Sequence, residues 1–553
     1  MKKTLCSLLL GLAVLAQSAE EVDLSIVHRI KNESFQNGKV MEHMFYLTDW
    51  NGPRLSGSPG YKSAADWGVG RLKEWGVSNA GLESWGKFGR SWSLKKFEAH
   101  VVQPFYTPIS GFPQAWSDAT KGRIKAEVVY APVFFPWEDD ARRDPSKVIE
   151  RVKQYAQKNK GKFHGKIVMT EPRRAQEQPA ASPSERYDEE ALTSVAESPE
   201  PYPFEAIQWP VTSLPDDPKE RERFLDSLPL EIEADFWEQQ QKAWDTLITF
   251  LREEGAVGNF IMSRRGIGGT FYAQEAGFHR AGFPVSVASI AVQREQYGQL
   301  ARLAEKKIPV VVEMELDVDF PPEEVDGWNV VAEIPGGKKK EEIVMLGAHL
   351  DSWHSGTGAT DNAAGCAVVL ETMRVLKTLN LKMDRTVRMA LWGGEEQALY
   401  GSRAYVARHF ADPVTMKLHP EHSKISGYFN LDNGTGRIRG VYLQGNDMMR
   451  PIFEDWFDPF ADLKAETITI RNTTGTDHLS FDAVGIPGFQ FIQDPLEYDE
   501  RTHHSNIDVY DHIEPADLMQ ASAIMATFVY NTAMRAELLP RKPLPKPLPP
   551  KKN

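Results

Sequence analysis

Residues 343–365 read IVMLGAHLDSWHSGTGATDNAAG, and this stretch decides the fold. It opens with a continuous apolar run, Ile343 to Leu346, of the kind that forms a strand covered on both faces. Apolar residues then recur at helical spacing, which predicts a helix from Ala363 to Leu379. A buried strand followed by a helix is the repeating unit of a parallel sheet, so the stretch indicates an α/β fold.

The same alternation continues toward the C-terminus. Further strands are predicted at Thr386 to Trp392, Gly427 to Leu431 and Phe489 to Ile492, and a closing helix at Asp511 to Ala533. We therefore expect an α/β fold with a mostly parallel central sheet flanked by helices.

The part of the chain before residue 316 has a different spacing of apolar residues. Residues 22–96 carry helical apolar spacing around the loop-like GPRLSGSP at 52–59, and short β-like runs follow between 97 and 315. These runs are residues 127–133, 166–170, 258–262, 285–292 and 309–315. We expect residues 97–315 to be a smaller β-rich insert in an α/β domain formed by 20–96 and 316–535.

Two segments are predicted to lie outside the main cores. Residues 171–235 are rich in Pro, Glu and Ser, which predicts a surface excursion, although 219–244 is rich in helix formers. Residues 536–553 form a Pro/Lys-rich tail, expected to be extended and to have no core.

The N-terminus predicts an exported protein. Lys2 and Lys3 precede an apolar run from Leu5 to Leu15 and then small residues up to Ala19, the pattern of a cleaved signal peptide at residues 1–19. A buried N-terminal helix is the alternative. The prediction places the protein outside the cell or in the periplasm, without a membrane span.

Composition narrows the choice of partners and ligands. The formal net charge of −13 argues against nucleic acid or an anionic membrane as the main partner. Beyond Cys6 in the predicted signal peptide, Cys366 is the one remaining cysteine, so an internal disulfide and a cysteine-rich zinc site are both excluded. Any metal must therefore be held by His, Asp and Glu. The sequence does not indicate an oligomeric state.

Acids and imidazoles follow each predicted strand of the sheet. The carboxyl ends of parallel strands meet at one edge, where ligands bind. The residues in question are His349, Asp351 and Asp361 after the first strand, Glu395 and Glu396 after the second, Asp432 after the third, and His504 after the fourth. Two imidazoles and three of these five carboxylates suit zinc, and two cations can share one bridging carboxylate. The adjacent pair Glu395 and Glu396 can supply one ligand and one general base.

The motifs that carry these residues resemble those of the M28 family of co-catalytic zinc peptidases. They are His349-x-Asp351, Gly358-Ala359-x-Asp361-Asn362-x-x-Gly365, Glu395-Glu396-x-x-Leu399-x-Gly401-Ser402, Asn430-x-Asp432, Asp477-His478-x-x-Phe481 and His504-Ser505-x-x-Asp508. The resemblance covers residues 325–535. The segment 97–315 resembles, less specifically, the protease-associated domain that some members carry as an insert.

The resemblance implies a role for each residue and two zinc ions per chain. Asp361 is expected to bridge the ions, with His349 and Asp432 completing one site and Glu396 and His504 the other. It further implies that Glu395 is the general base, that Asp351 fixes the tautomer of His349, and that the Asp361–Asn362 bond is cis.

One motif departs from the family pattern. The last ligand commonly stands in Tyr-His-Thr, but here the sequence is His503-His504-Ser505. Either His503 or Tyr498 is therefore expected to bind the oxyanion. We expect His478, beside Asp477, to lie behind the ligands or to face the substrate.

The resulting hypothesis is a zinc exopeptidase that acts on short peptides, with an aminopeptidase as the first choice. A dipeptidase or carboxypeptidase of the plasma glutamate carboxypeptidase type is the nearest alternative. Two other classes remain: glutaminyl cyclisation, which uses one zinc on this fold, and a non-catalytic binding ectodomain. Both predict a damaged metal site, whereas every expected ligand and the base are present.

Overall fold

A computed structural model describes residues 20–133, 145–173, 185–203 and 206–548, apart from residues 210, 212, 213, 264 and 267. The predicted signal peptide, 1–19, lies outside the described residues. The helices are α1 Leu24–Gln36, α2 Val40–Phe45, α3 Pro59–Glu74, α4 Pro145–Asn159, α5 Glu189–Ala196, α6 Pro218–Leu225, α7 Leu230–Glu253, α8 Arg294–Glu305, α9 Ala364–Thr378, α10 Tyr400–His409, α11 Arg450–Phe457, α12 His478–Asp482 and α13 Pro515–Met534.

Most of the strands belong to two large sheets. They are β1 Ser78–Arg90, β2 Ser93–Gln103, β3 Thr107–Pro108, β4 Gly111–Pro113, β5 Ile124–Tyr130, β6 Ile167–Met169, β7 Gly258–Met262, β8 Ser289–Val292, β9 Val311–Asp319, β10 Glu324–Ile334, β11 Lys339–His349, β12 Arg385–Trp392, β13 Ala411–Asp412, β14 Lys417–Leu418, β15 Ile425–Asn430, β16 Ile438–Tyr442, β17 Thr467–Thr469 and β18 Gly488–Gln493.

The first sheet has the order β1-β10-β12-β11-β15-β18-β16-β17. Its four central strands, β12, β11, β15 and β18, are parallel to their neighbours within this group. They coincide with the four strands predicted from the apolar runs, which confirms the parallel sheet. Antiparallel pairs, β1 with β10, β10 with β12 and β16 with β18, extend it on both sides.

Helices α9 and α13 pack together against one face of this sheet. Both were predicted from apolar spacing, with ends within a few residues of those observed. Phe528 of α13 contacts Phe429 of β15 edge-on, with ring centroids 6.0 Å apart. This core holds the central strands rigidly, so the residues at their carboxyl ends have fixed positions.

The second sheet has the order β3-β2-β9-β5-β6-β7-β8-β4 and has as many strands as the first. Its strands β5 to β9 lie on the predicted β-like runs. Strands β2 and β9 pair with each other and reach a few residues beyond 97 and 315. The chain thus enters and leaves this sheet through two adjacent antiparallel strands.

The helical expectation for residues 22–96 is correct only for its first part. Helices α1, α2 and α3 are present, but Ser78–Arg90 is strand β1 and β2 begins at Ser93. The pairing of β1 with β10 is interrupted by three register shifts, and most of its residues are only half-buried. An irregular edge strand does not show the strict alternation by which a strand is recognised.

The surface excursion also contains more structure than expected. Within its described residues lie α5, α6 and the start of α7, and Ile207, Phe224 and Ile232 form a small buried cluster. Arg186 anchors this region beside the first sheet by ion pairs with Asp494, at 2.9 Å, and with Asp517 of α13, at 2.6 Å. These apolar residues are far apart in the sequence, so no local pattern predicts that they form a core.

The tail follows the prediction in part. Residues 536–548 contain no helix or strand. However, Leu539 is buried, and its backbone N–H donates to Ser426 Oγ at 3.1 Å, so the expectation of no core contact was wrong there. Among the described helices, none combines the length and the apolar character needed to cross a bilayer.

Candidate metal centre

The structure brings all five predicted ligands together at the carboxyl ends of the central strands. His349 ends β11, Asp361 stands just before α9, Glu396 follows β12, Asp432 follows β15, and His504 lies in the loop after β18. The closest approaches are His349 Nε2 to Asp432 Oδ1, 3.1 Å, His349 Nε2 to Asp361 Oδ1, 3.2 Å, His504 Nε2 to Asp361 Oδ2, 3.0 Å, and His504 Nε2 to Glu396 Oε2, 2.9 Å.

Asp361 belongs to two groups of candidate ligands. One group is His349, Asp361 and Asp432, and the other is Asp361, His503 and His504; the ligand atoms within each group lie within 4.8 Å of one another. His503 Nε2 is 3.7 Å from Asp361 Oδ2, whereas Glu396 Oε2 is 2.9 Å from His504. The two oxygens of one carboxylate therefore face two different imidazoles, as a bridging ligand requires.

The polar atoms at the centre fit divalent cations. Within the described residues, Asp361 Oδ2 and Glu396 Oε1 are buried and have no hydrogen-bond partner. Although Asp361 Oδ2 is close to His504 Nε2, the two atoms are not in hydrogen-bond geometry. Buried carboxylate oxygens without donors are costly unless a cation or water binds them, and His with Asp and Glu is a donor set that suits zinc.

Asp361 is placed by a buried arginine and a buried aspartate. Arg54 donates to the carbonyls of Leu350, Leu47, Thr357 and Gly358 at 2.7–2.8 Å. Gly358 has a φ of +66°, which favours glycine. Asp508 accepts from Thr360 N at 2.6 Å and from Asp361 N at 3.2 Å. The Asp361–Asn362 bond is cis, as the resemblance implied.

Asp351 positions the loop of Glu395 and Glu396. Its carboxylate accepts from the backbone N–H groups of both glutamates, at 3.2 Å each, and from Ser56 Oγ at 2.8 Å. The partner of His349 Nδ1 is the backbone carbonyl of Asp351, at 3.0 Å, and the nearer carboxylate oxygen is 3.8 Å away. The expected fixing of the His349 tautomer thus falls to the main chain of Asp351, because its carboxylate holds the adjacent loop.

Burial and mutual repulsion hold protons on the two glutamates of this centre. The pKa of Glu395 is raised well above its usual range by burial and by the neighbouring Asp432 and Asp477. Burial and Asp361 raise the pKa of Glu396 to about 7. At Asp361 the effect of burial is opposed by the nearby imidazoles of His349 and His504, which keep its pKa well below the usual range. Without cations, this cluster holds more carboxylates than can ionise together.

His503 is oriented to donate toward the centre. Arg265 Nη1 lies 3.3 Å from His503 Nδ1, and burial together with the charge of His504 lowers the His503 pKa well below its usual value. A neutral imidazole that accepts from an arginine at Nδ1 carries its proton on Nε2, which is the nitrogen nearer to Asp361. Tyr498 stacks on His503 with ring centroids 4.7 Å apart, and the carboxylates of the centre raise its pKa beyond the effect of burial.

The structure does not bring His478 to the centre. Its ring is fully buried, with Nε2 3.2 Å from the carbonyl of Thr473, and burial lowers its pKa to about 3. His478 begins α12 and turns toward the protein interior, whereas Asp477 remains close enough to His349 and Asp432 to interact with their charges. The expectation that His478 faces the substrate is therefore not met by its position.

Sequence reasoning missed several supporting residues. Arg54 and Ser56 stand in a segment that reads as a loop, and nothing local indicates that they reach the centre. Asp508 was quoted within a motif, and its fixed spacing from His504 was the available signal. Gln274 lies in the part of the chain that forms the second sheet, and its amide nitrogen is 3.0 Å from His504 Nδ1. No motif in the sequence predicted this contact.

An α/β fold whose parallel strands deliver two imidazoles and several carboxylates to one edge is the architecture of proteins that hold a pair of divalent cations. Residues 329–529 match the model of peptidase family M28. Carboxypeptidase Q of Mus musculus is 30% identical over 289 residues, which are 52% of this chain and 58% of that protein. The chain thus spans somewhat more than half of that relative's length.

Solved structures show the same fold. A peptidase M28 precursor from Shewanella amazonensis SB2B superposes with a TM-score of 0.62 at 22% identity, covering 94% of this chain and 98% of that chain. BSAP, a zinc aminopeptidase from Bacillus subtilis, gives a TM-score of 0.52 at 17% identity, covering 91% and 96%. At these identities the likeness concerns the fold alone.

Proposed function

We propose that this chain is an exported two-zinc metallo-exopeptidase that removes terminal residues from short peptides, acting as an aminopeptidase. The observation that carries the proposal is the pair of His–carboxylate groups sharing Asp361, with Glu395 beside them as a carboxylate outside both groups. The match of residues 329–529 to peptidase family M28 supports a peptide substrate. The zinc aminopeptidase from Bacillus subtilis, which shares the fold, supports the choice of metal.

The five ligands would divide between two ions. His349 and Asp432 would hold one, Glu396 and His504 the other, and Asp361 both. Zinc bound there would supply Lewis acidity, which lowers the pKa of water and polarises a carbonyl group.

The proton transfers fall to Glu395. Its Oε2 lies 4.0 Å from His349 Nε2, at the edge of the first ligand group, so it is free to take a proton from the attacking water. The same carboxyl group then returns the proton to the leaving amine. His503 donates from Nε2 to the oxygen of the scissile carbonyl, where negative charge develops, and Tyr498 holds the ring of His503 in place.

Terminal specificity would come from the free α-amine of the peptide. In its neutral form this amine is a nitrogen ligand of the kind zinc accepts, so it would bind at the metal pair and bring the first peptide bond to Glu395. Acetylation of the substrate's N-terminus turns the amine into an amide, which is a poor ligand. We expect it to abolish cleavage.

One observation favours the dipeptidase or carboxypeptidase alternative. Arg265 is exposed and lies 3.3 Å from His503, so a cation stands at the edge of the centre where a substrate carboxylate could pair with it. Carboxypeptidase Q, named for carboxypeptidase activity, is among the relatives. Loss of cleavage on amidation of the substrate's C-terminus would select this alternative over the aminopeptidase.

The test combines metal content with a matched set of substrates. We expect about two zinc ions per chain, hydrolysis of amino-acid p-nitroanilides and of dipeptide amides, and no hydrolysis of their N-acetylated forms. One zinc or none, or cleavage that ignores the N-terminal block, would contradict the proposal. Export is tested separately, by the N-terminal sequence of the protein recovered outside the cytoplasm, which should begin near residue 20.

A further inference from the structure

A short segment, residues 271–274 in the part of the chain that forms the second sheet, contacts the loop that carries His504. The backbone N–H of Phe271 donates to Asn506 Oδ1 at 2.8 Å, and the Asn506 N–H donates back to the Phe271 carbonyl at 3.1 Å. Tyr272 forms an antiparallel bridge with Ser505. These bonds hold the loop from both main chain and side chain, so the segment and the loop are joined at several points.

Gln274, at the end of this segment, reaches the imidazole of His504. Its amide nitrogen lies 3.0 Å from His504 Nδ1. The opposite nitrogen, Nε2, faces Asp361 Oδ2 at 3.0 Å and Glu396 Oε2 at 2.9 Å. His504 can bind a cation through Nε2 only if its remaining proton is on Nδ1, and that N–H needs an acceptor. A half-turn of the Gln274 amide presents its carbonyl oxygen at the same place.

The two imidazoles of the centre are supported from different parts of the chain. His349 Nδ1 meets the carbonyl of Asp351, two residues away on the same strand end. His504 stands in a loop and has a φ of +62°, a left-handed conformation that residues other than glycine rarely adopt. Such a conformation persists only where the surroundings hold it, and the contacts with Phe271, Tyr272 and Gln274 supply that support.

We propose that Gln274 is a positioning residue for the second zinc site: its amide oxygen accepts the Nδ1 proton of His504 and directs Nε2 to the metal. The inference rests on the proposed function for the presence of zinc. Outer partners of metal-bound histidines fix the tautomer and the ring orientation, and their loss weakens metal binding by about 10- to 100-fold. The part of the chain that forms the second sheet therefore completes the metal site that contains His504.

The test uses three variants and the affinity for zinc itself. Gln274→Met keeps the length of the side chain and removes the acceptor, Gln274→Glu keeps and strengthens the acceptor, and Gln299→Met makes the same change at an exposed position of α8. Zinc binding is measured by competition with a chelator, alongside thermal stability and kcat and KM at saturating zinc. We expect Gln274→Met to weaken one of two zinc equivalents about 10- to 100-fold, while Gln274→Glu and Gln299→Met bind both as the unmodified protein does.

The outcomes distinguish a hydrogen-bond acceptor at Gln274 from a packing contact. If Gln274→Met binds both zinc ions like Gln299→Met, the proposal is wrong. If Gln274→Glu loses zinc as strongly as Gln274→Met, Gln274 contributes packing and not an acceptor, which also overturns it. An unmodified protein that binds two zinc ions without cleaving peptides would refute the peptidase proposal alone, whereas one that binds no zinc would refute both.

Discussion

Replacing Glu395 by Gln tests the proposed mechanism directly, because it removes one proton acceptor and leaves the shape of the side chain. Glu395 is almost fully buried, and its backbone N–H is held by Asp351 at 3.2 Å, so the loop has a fixed position in either variant. Its carboxylate comes no closer than 4.0 Å to His349 Nε2. The change therefore leaves all five proposed ligands in place.

The size of the effect follows from the lack of a substitute base. Positioned general bases contribute about 10²- to 10⁴-fold in rate. The adjacent carboxylate of Glu396 is directed to His504, at 2.9 Å, and Asp361 lies between the two imidazoles. Since neither can take over the proton, we expect kcat to fall about 10³-fold, or about 4 kcal/mol of transition-state stabilisation, with a much smaller change in KM.

The assay is the steady-state hydrolysis of an amino-acid p-nitroanilide, with zinc content measured on the same preparations. Glu323→Gln, at an exposed position before β10, is the matched control and should retain full activity. If Glu395→Gln keeps kcat within tenfold of the unmodified protein, another group is the base. If it loses a zinc ion, Glu395 is a ligand and the assignment of the glutamate pair must be reversed.

Three further predictions concern the support and the charge of the centre. Arg54→Met removes the donor of the Leu47, Leu350 and Thr357 carbonyls, whereas the Gly358 carbonyl keeps the Ala363 N–H. At about 1–3 kcal/mol for each of the three, it should lower the free energy of unfolding by at least ~3 kcal/mol in urea denaturation; a cost no larger than that of Arg29→Met, which loses one exposed carbonyl contact, would contradict this. His503→Ala should lower kcat by about 10²-fold at unchanged zinc content, whereas His503→Tyr, the residue common in the family, should retain more activity; equal losses would remove His503 from oxyanion binding. In the metal-free protein, acids with raised pKa values, such as Asp477 at about 8, hold protons that the unfolded chain releases above about pH 4. The contribution of Asp477 to stability is therefore present at low pH and is lost as pH rises to about 8, while buried histidines such as His354, whose pKa is lowered to about 4, contribute in the opposite direction. Calorimetry in a chelator should show a smaller loss, or a larger gain, of melting temperature over this interval for Asp477→Asn than for the unmodified protein; equal changes would be incompatible with the assignment.

The sequence predicted the sheet and its edge because both depend on local patterns. A continuous apolar run such as Ile343 to Leu346 indicates a strand buried on both faces, and an acid or imidazole directly after it must lie at the sheet's edge. The expected positions of His349, Glu396 and Asp432 follow from this rule alone. Their convergence needed only the further condition that the strands be parallel neighbours, which the pairings confirm.

The contacts that hold the centre could not be predicted in the same way. Arg54 meets carbonyls that are about 300 residues away in sequence, and Gln274 meets His504 across 230 residues. Such contacts depend on how segments that are distant in the sequence pack together and not on local spacing. The irregular edge strand Ser78–Arg90 was missed for a related reason, since its register shifts follow from pairing with β10.

The charge of the centre links metal binding to the fold. The carboxylates of Asp351 and Asp508 accept hydrogen bonds from backbone N–H groups. These bonds fix the loops of Glu395 and Asp361 before any cation binds. Glu396 and His504 hold protons in the metal-free state: the pKa of Glu396 is raised to about 7, and Glu396 and Asp361 raise that of His504 to about 10 against the effect of burial. Zinc must displace these protons, because its ligands bind in their deprotonated forms. The rigid scaffold therefore supplies the geometry, while the cations allow the acids of the centre to ionise together near neutral pH.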